Sequence, residues 1–173
     1  INLGGDLLEP ACPSADVAFA GVYDGKGYKL TGLKVNSTAT ENAPTGGIAR
    51  YATGATFKNI NYVGCDIVGN CNLSTGGIVG VATNVTIENC TIHGAISSSI
   101  TYCGGFVGNA LGCTIKNCKL LEDSAVSTMT SSAAGIAAII NDGTVVEDCE
   151  VNGKISAKNS YAGGICAYMN DGV

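Results

Sequence analysis

Nine cysteines, one histidine and fourteen carboxylates are the side chains of this 173-residue chain best suited to chemistry. Cys90, Cys118 and Cys149 are separated by 28 and 31 residues, with no CxxC and no second histidine beside them. Zinc-type spacing is therefore missing. A free buried cysteine packs as a small hydrophobe, and these three read as a ladder of buried thiols. Parallel Cβ vectors on stacked neighbours make a disulfide torsion between them difficult. Cys65 and Cys71 fall in the longest predicted loop and could pair with each other, while Cys12, Cys103 and Cys166 receive no assignment. The odd count leaves at least one thiol free or joined to another chain.

The remaining candidates read more simply. His93 has no partner spacing for a triad or a metal site and is expected as an exposed turn histidine. Asp24-Gly25-Lys26-Gly27 lacks the alternating oxygen ligands of a calcium loop and reads as a hairpin-like turn. Glu122-Asp123 and Glu147-Asp148 are acidic pairs, but the acids scatter among positions and no acidic cluster aligns with Arg50. Thr56, Thr86 and Thr114 form an outward ladder, as on ice-binding solenoids, beside a charged column that interrupts it. No catalytic, cofactor-binding or metal-binding residue is assigned, and no binding residue is singled out.

Composition limits the partners. The net charge is -5 and Arg50 is the only arginine, which argues against a nucleic-acid partner, since phosphate binding needs clustered basic residues. No apolar run approaches the roughly 18 residues that span a bilayer. Asn36, Asn72, Asn84 and Asn89 begin Asn-X-Ser/Thr sequons. Asn89 is expected inside a tight bend that a glycan would not fit, which favours a bacterial over a eukaryotic secretory route.

What must position these residues is a repeat. Gly46-Gly47-Ile48, Gly76-Gly77-Ile78, Gly104-Gly105-Phe106, Ala134-Gly135-Ile136 and Gly163-Gly164-Ile165 recur at intervals of 30, 28, 30 and 29 residues. A second element follows each of the first four: Thr56–Ile60, Thr86–Cys90, Thr114–Cys118 and Val145–Cys149. A third, weaker element contains Gly94-Ala95-Ile96, Ser124-Ala125-Val126 and Gly153-Lys154-Ile155. Alternating apolar residues rich in Val, Ile and Thr exclude helical repeats. The chain is predicted to be all-β: a single-stranded parallel β-helix (β-solenoid) of about six coils of 28–31 residues, with three short strands per coil. Residues 1–173 form one domain, with 1–18 as an N-terminal edge or cap and 19–173 as repeats. The last coil is incomplete, as expected for part of a longer protein.

The columns follow from the register. Phe57, Ile87, Ile115 and Val146 point inward, as do Ile60, Cys90, Cys118 and Cys149, and then Tyr62, Ile92, Leu120 and Val151. Two inward residues flank each of Asn59, Asn89, Asn117 and Asp148, so the chain must bend there, in the left-handed conformation that Asn and Asp tolerate. Stacked asparagines are expected to hydrogen-bond along the axis. Lys58, Glu88, Lys116 and Glu147 form an outward column of alternating sign.

Gly76-Gly77-Ile78-Val79-Gly80 and Gly104-Gly105-Phe106-Val107-Gly108 resemble the GLUG motif, named for its Gly-Leu-any-Gly pattern. The segment from Phe19 to Leu30 is similar to the first coil of GLUG-type β-helix proteins, and the segment from Ile1 to Leu7 to the short strand before it. The closing glycine is missing at Arg50, Ala138 and Ala167, which puts the corner geometry there in question. The resemblance implies a bacterial surface or secreted protein, adhesin-like, with no catalytic residues in the motif.

The expected function is therefore non-enzymatic: an adhesin-like or structural module presenting loops to a host or cell-wall glycan or a protein. The loops singled out are 36–44, 64–74, 97–103, 122–132 and 157–161. The rival is a glycan-active enzyme of the polysaccharide-lyase β-helix kind, or its accessory carbohydrate-binding module. Its mark would be convergent carboxylates beside a basic residue on one face.

Overall fold

The computed structural model describes residues 1–37 and 42–170. Strands from successive repeats lie parallel and stack into four sheets. The first contains Val22–Asp24, Thr56–Lys58, Thr86–Glu88, Thr114–Lys116 and Val145–Glu147. Past the Asn bend, the second contains Lys29–Thr31 and Lys34–Ser37, Asn61–Gly69, Thr91–Ser98, Lys119–Leu120 with Ala125–Thr128, and Glu150–Val151 with Lys154–Ala157. A two-residue stack precedes each glycine corner, from Thr45–Gly46 to Ala162–Gly163, and a fourth sheet runs from Ala49–Thr53 to Cys166–Met169.

The fold is thus the expected parallel β-solenoid, with about five turns where about six were anticipated. The difference lies at the N-terminus. Residues before Val22 add no sheet strand; they cross the first coil through isolated bridges Asn2↔Thr31, Leu7↔Lys34, Ala11↔Ala49 and Phe19↔Ala52. The two-residue stack adds a short fourth segment to the three strands expected per coil. Among the described residues, no helix is long and apolar enough to cross a membrane.

The predicted columns are in register. Phe57, Ile87 and Ile115 pair along one line with Val146, and Tyr62, Ile92, Leu120 and Val151 along another. All but the two valines of the last coil are fully buried. At the bend, Asn59, Asn89, Asn117 and Asp148 have φ of 54°, 54°, 52° and 51°. The bends hold through backbone bonds: Asn59 N–H donates to Glu88 O, Asn89 N–H to Lys116 O and Asn117 N–H to Glu147 O, at 3.1–3.2 Å. The expected side-chain ladder is not what links these turns. Among the described residues, the side-chain bond of this column is Asn59 Nδ2 donating to Asp24 Oδ1 at 2.9 Å.

The glycine doublets mark places where backbone meets backbone. A Cβ on Gly46 would stand 2.0 Å from Ala49 O, and one on Gly77 2.1 Å from Gly105 O. Those distances are inside any real contact, so no other residue fits without moving the chain. The missing closing glycines leave the register undisturbed: Ala49↔Val79, Tyr51↔Val81, Val107↔Ala137 and Asn109↔Ile139 all pair across those positions. Arg50 fits because it lies in the first coil of its sheet. There its guanidinium reaches Glu9 in the N-terminal segment, Nη2 to Oε2 at 3.0 Å.

Candidate functional site

The predicted loops are shorter than the sequence implied. Strands Asn61–Gly69, Thr91–Ser98 and Ala125–Thr128 absorb much of them, because these segments pair side by side along the second sheet. What remains is a turn at 122–124 and four segments, 70–74, 99–102, 129–132 and 158–161, stacked at one corner of the solenoid. The loop 36–44 begins in the strand Lys34–Ser37, and its positions 38–41 lie outside the described residues.

This corner is a ridge tied together by hydroxyls and amides. Asn70 Nδ2 donates to Asn36 Oδ1 at 3.3 Å and Ser99 Oγ to Asn70 Oδ1 at 2.6 Å. Thr101 Oγ1 donates to Leu73 O, Thr128 Oγ1 to Thr101 O at 2.8 Å, and Thr130 Oγ1 to Ile100 O at 2.5 Å. Ser132 and Ser160 hydroxyls meet at 2.8 Å, and Asn159 Nδ2 donates to Met129 O at 3.1 Å. Each bond joins one coil to the next, so the loop backbone is fixed by its neighbours. On this polar ridge each coil exposes one large apolar side chain: Leu73, Ile100, Met129 and Tyr161, at 37%, 37%, 52% and 67%. Apolar atoms held out in water on an ordered ridge are suited to contact with a partner.

The cysteines are all free. Cys90 and Cys118 are buried and Cys149 is half-buried, in the predicted column. Each thiol contacts the carbonyl two residues before it; those of Cys118 and Cys149 lie 3.3 and 3.2 Å away. The stacked Cys118 thiol lowers the Cys149 thiol below its ordinary value, against the opposing effects of burial and nearby Asp148 and Glu147. Cys118 is pushed well up by its bonds to Cys149 and Cys90 and by burial.

The expected pairing of Cys65 with Cys71 does not occur. Cys65 lies within the strand Asn61–Gly69, opposite Gly94, and burial pushes its thiol up to about 12. Cys71 lies past the strand end, where its sulfur contacts Thr45 Oγ1 at 3.3 Å. Cys103 is buried, also raised by burial to about 12, and Cys12 and Cys166 are half-buried. Cys113, which sequence reading passed over, is buried, and its thiol donates to Ala82 O at 3.4 Å.

His93 is not a turn residue. It is half-buried in the strand Thr91–Ser98, next to a β-bulge at Gly94, and its Nδ1 accepts a bond from Gly64 N–H at 3.2 Å. Asn89 is exposed despite its left-handed backbone, so the steric argument against a glycan there does not hold. In the outward charge column Lys116 pairs with Glu88 at 3.2 Å, and in the next column Lys119 with Glu150 at 2.8 Å. Solvent screening leaves such pairs little weight in stability. Thr56, Thr86 and Thr114 align as expected, with Val22 and Val145 at the two ends.

Asp24 is fixed by Asn59 Nδ2 and by Lys26 N–H, each at 2.9 Å, and these bonds hold its carboxyl at about 2. It thereby closes the predicted turn onto the next coil. Glu122 and Asp123 are exposed in a turn, Asp123 with a φ of 61°. Among the described residues no three of His, Cys, Asp and Glu are grouped to hold a metal ion. Arg50 meets a carboxylate, Glu9, that lies 41 residues away and that spacing did not reveal.

Fold and ridge together define a β-solenoid of about five turns with one ordered polar corner. Comparison with known proteins finds no matching family, no matching curated protein and no matching solved structure.

Proposed function

We propose that the chain is a non-enzymatic, adhesin-like module of a secreted or cell-surface bacterial protein. In this reading it presents the stacked-loop ridge to a carbohydrate or protein partner. The observation that carries the proposal is the presence of Leu73, Ile100, Met129 and Tyr161, one exposed apolar side chain per coil at differing loop positions, on a ridge braced from coil to coil. Ordering the ridge before binding lowers the entropic cost of association. The GLUG-like strings at Gly76–Gly80 and Gly104–Gly108 add support for a surface location.

The test is adhesion of beads carrying the purified chain to surfaces coated with glycans, matrix proteins or whole cells. Wild-type beads should adhere, and a variant with Leu73, Ile100, Met129 and Tyr161 all changed to serine should lose adhesion while keeping its β-type circular dichroism. Equal adhesion by the folded variant would remove the ridge from the mechanism. Release of reducing ends or unsaturated sugars from a polysaccharide would replace this reading with the lyase alternative.

A further inference from the structure

The ridge has a hydrogen-bonding polarity that its exposed apolar residues do not reveal. None of the residues in segments 70–74, 99–102 and 129–132 is charged, and Lys158 is the one charged residue of segment 158–161. Recognition on the three inner segments must therefore come from hydrogen bonds and apolar contact.

A hydroxyl has one proton to donate and two lone pairs to accept with. Ser99 Oγ spends its proton on Asn70 Oδ1 at 2.6 Å, Thr101 Oγ1 on Leu73 O, and Thr130 Oγ1 on Ile100 O at 2.5 Å. Each of these bonds points back to the preceding coil. Backbone donors beside them are spent too. Ser99 N–H donates to Gly69 O and Met129 N–H to Ser98 O, while Ile100 N–H and Thr101 N–H both donate to Ser98 Oγ. Ser99 and Thr130 are exposed, so their hydroxyls turn lone pairs to solvent in fixed directions. The bonds that brace the ridge thus also make these positions acceptors.

That polarity selects among partners. Carboxylate, sulfate and phosphate groups offer only lone pairs, and the three inner segments hold no lysine or arginine to meet them. A cationic peptide brings donors, but no carboxylate of these segments replaces the hydration its charges would lose. Protein hot spots cluster in one well-packed centre, whereas Leu73, Ile100 and Met129 stand singly, one per coil. A neutral glycan fits all three conditions. Its hydroxyls donate to oriented acceptors, and its C–H surfaces lie on aliphatic side chains. Coils stack roughly 4.8 Å apart, so three segments span roughly 10 Å, more than one sugar ring. We propose, on the strength of the ridge reading, that this surface takes a neutral oligosaccharide. Ser99 and Thr130 accept from its hydroxyls, and Leu73, Ile100 and Met129 pack on its C–H faces.

The experiment is a glycan array of neutral and acidic oligosaccharides probed with the whole chain, then calorimetric titration of the neutral oligosaccharide best retained, at low and high salt. Affinity should stay within about twofold across the salt range. Ser99→Ala/Thr130→Val removes the acceptors and should weaken binding at least about fivefold, whereas Thr130→Ser keeps its hydroxyl and should stay within about twofold. Because the double variant also loses two bracing bonds, Thr130→Lys gives an independent readout. It adds a donor and a positive charge, and should extend retention to acidic glycans, a gain that loosening of the ridge would not produce. The proposal is overturned if no neutral glycan is retained, if acidic glycans are retained better, or if Ser99→Ala/Thr130→Val binds as wild type. It is equally overturned if Thr130→Lys leaves the array profile unchanged. Adhesion to protein-coated surfaces alone, lost in the four-serine variant, would overturn the saccharide assignment and leave the ridge reading in place. Equal adhesion by the four-serine variant would remove both.

Discussion

The bend at Asn89 gives the sharpest test of how the coils are held. Its φ of 54° is a conformation that costs a residue bearing a Cβ about 1–2 kcal/mol, with glycine exempt and asparagine partly excused. Its backbone N–H donates to Lys116 O at 3.2 Å, a bond that any residue other than proline can make. If the asparagine is there for its backbone conformation, Asn89→Gly should leave stability within about 0.5 kcal/mol, relief in the fold offsetting the freer unfolded chain. Asn89→Ala should then cost about 1 kcal/mol, and β-branched Asn89→Val more. In a chain of this length, 1 kcal/mol corresponds to roughly 2–4 °C in Tm. Urea unfolding followed by circular dichroism would rank the variants, with Ser97→Ala as a control in an ordinary strand of the same coil. A side-chain hydrogen-bond ladder along the axis predicts a different order, in which glycine and alanine are equally damaging because both remove the amide. Equal losses for Asn89→Gly and Asn89→Ala would refute the backbone account.

Two further outcomes follow from buried groups. Tyr62 is fully buried and its hydroxyl finds no hydrogen-bond partner, an arrangement that costs about 1–3 kcal/mol. Tyr62→Phe should therefore raise the urea midpoint with an unchanged m-value, and a lowered midpoint would contradict the orphaned hydroxyl. Cys149 is lowered below the ordinary thiol value by the stacked Cys118 thiol, so it forms thiolate at lower pH than a free cysteine does. Its alkylation rate should rise below the ordinary thiol value of roughly 8.5, and in Cys118→Ala that rise should move up toward it; an unmoved profile, read by mass spectrometry of the labelled peptide, would exclude the stacked-thiol cause.

The repeat period, the inward columns and the bend were legible because each depends on local rules. Phe57, Ile87 and Ile115 declare themselves by alternation. Asn59, Asn89, Asn117 and Asp148 declare themselves because two inward residues flank one that tolerates a left-handed backbone. The doublets Gly46-Gly47 and Gly76-Gly77 did the same for the corners, where a Cβ would strike a carbonyl of the same or the next coil. Segments such as 64–69 and 97–98 look like loops in isolation, being rich in Gly, Ser and Asp. They become strands because the neighbouring coil offers an aligned edge.

Sequence by itself thus determined that this chain coils, how often, and which side chains face inward, since those follow from periodicity and backbone preference within each repeat. Only the tertiary structure decided what the surface is. It separated Cys65 from Cys71, placed His93 in a strand, brought Glu9 to Arg50, and left Asn89 open to solvent. It also brought four exposed apolar residues onto one ridge and set Tyr168 against Tyr102. These features depend on contacts between residues about 30 positions or more apart in the chain, and no spacing rule within a single coil fixes where such side chains end.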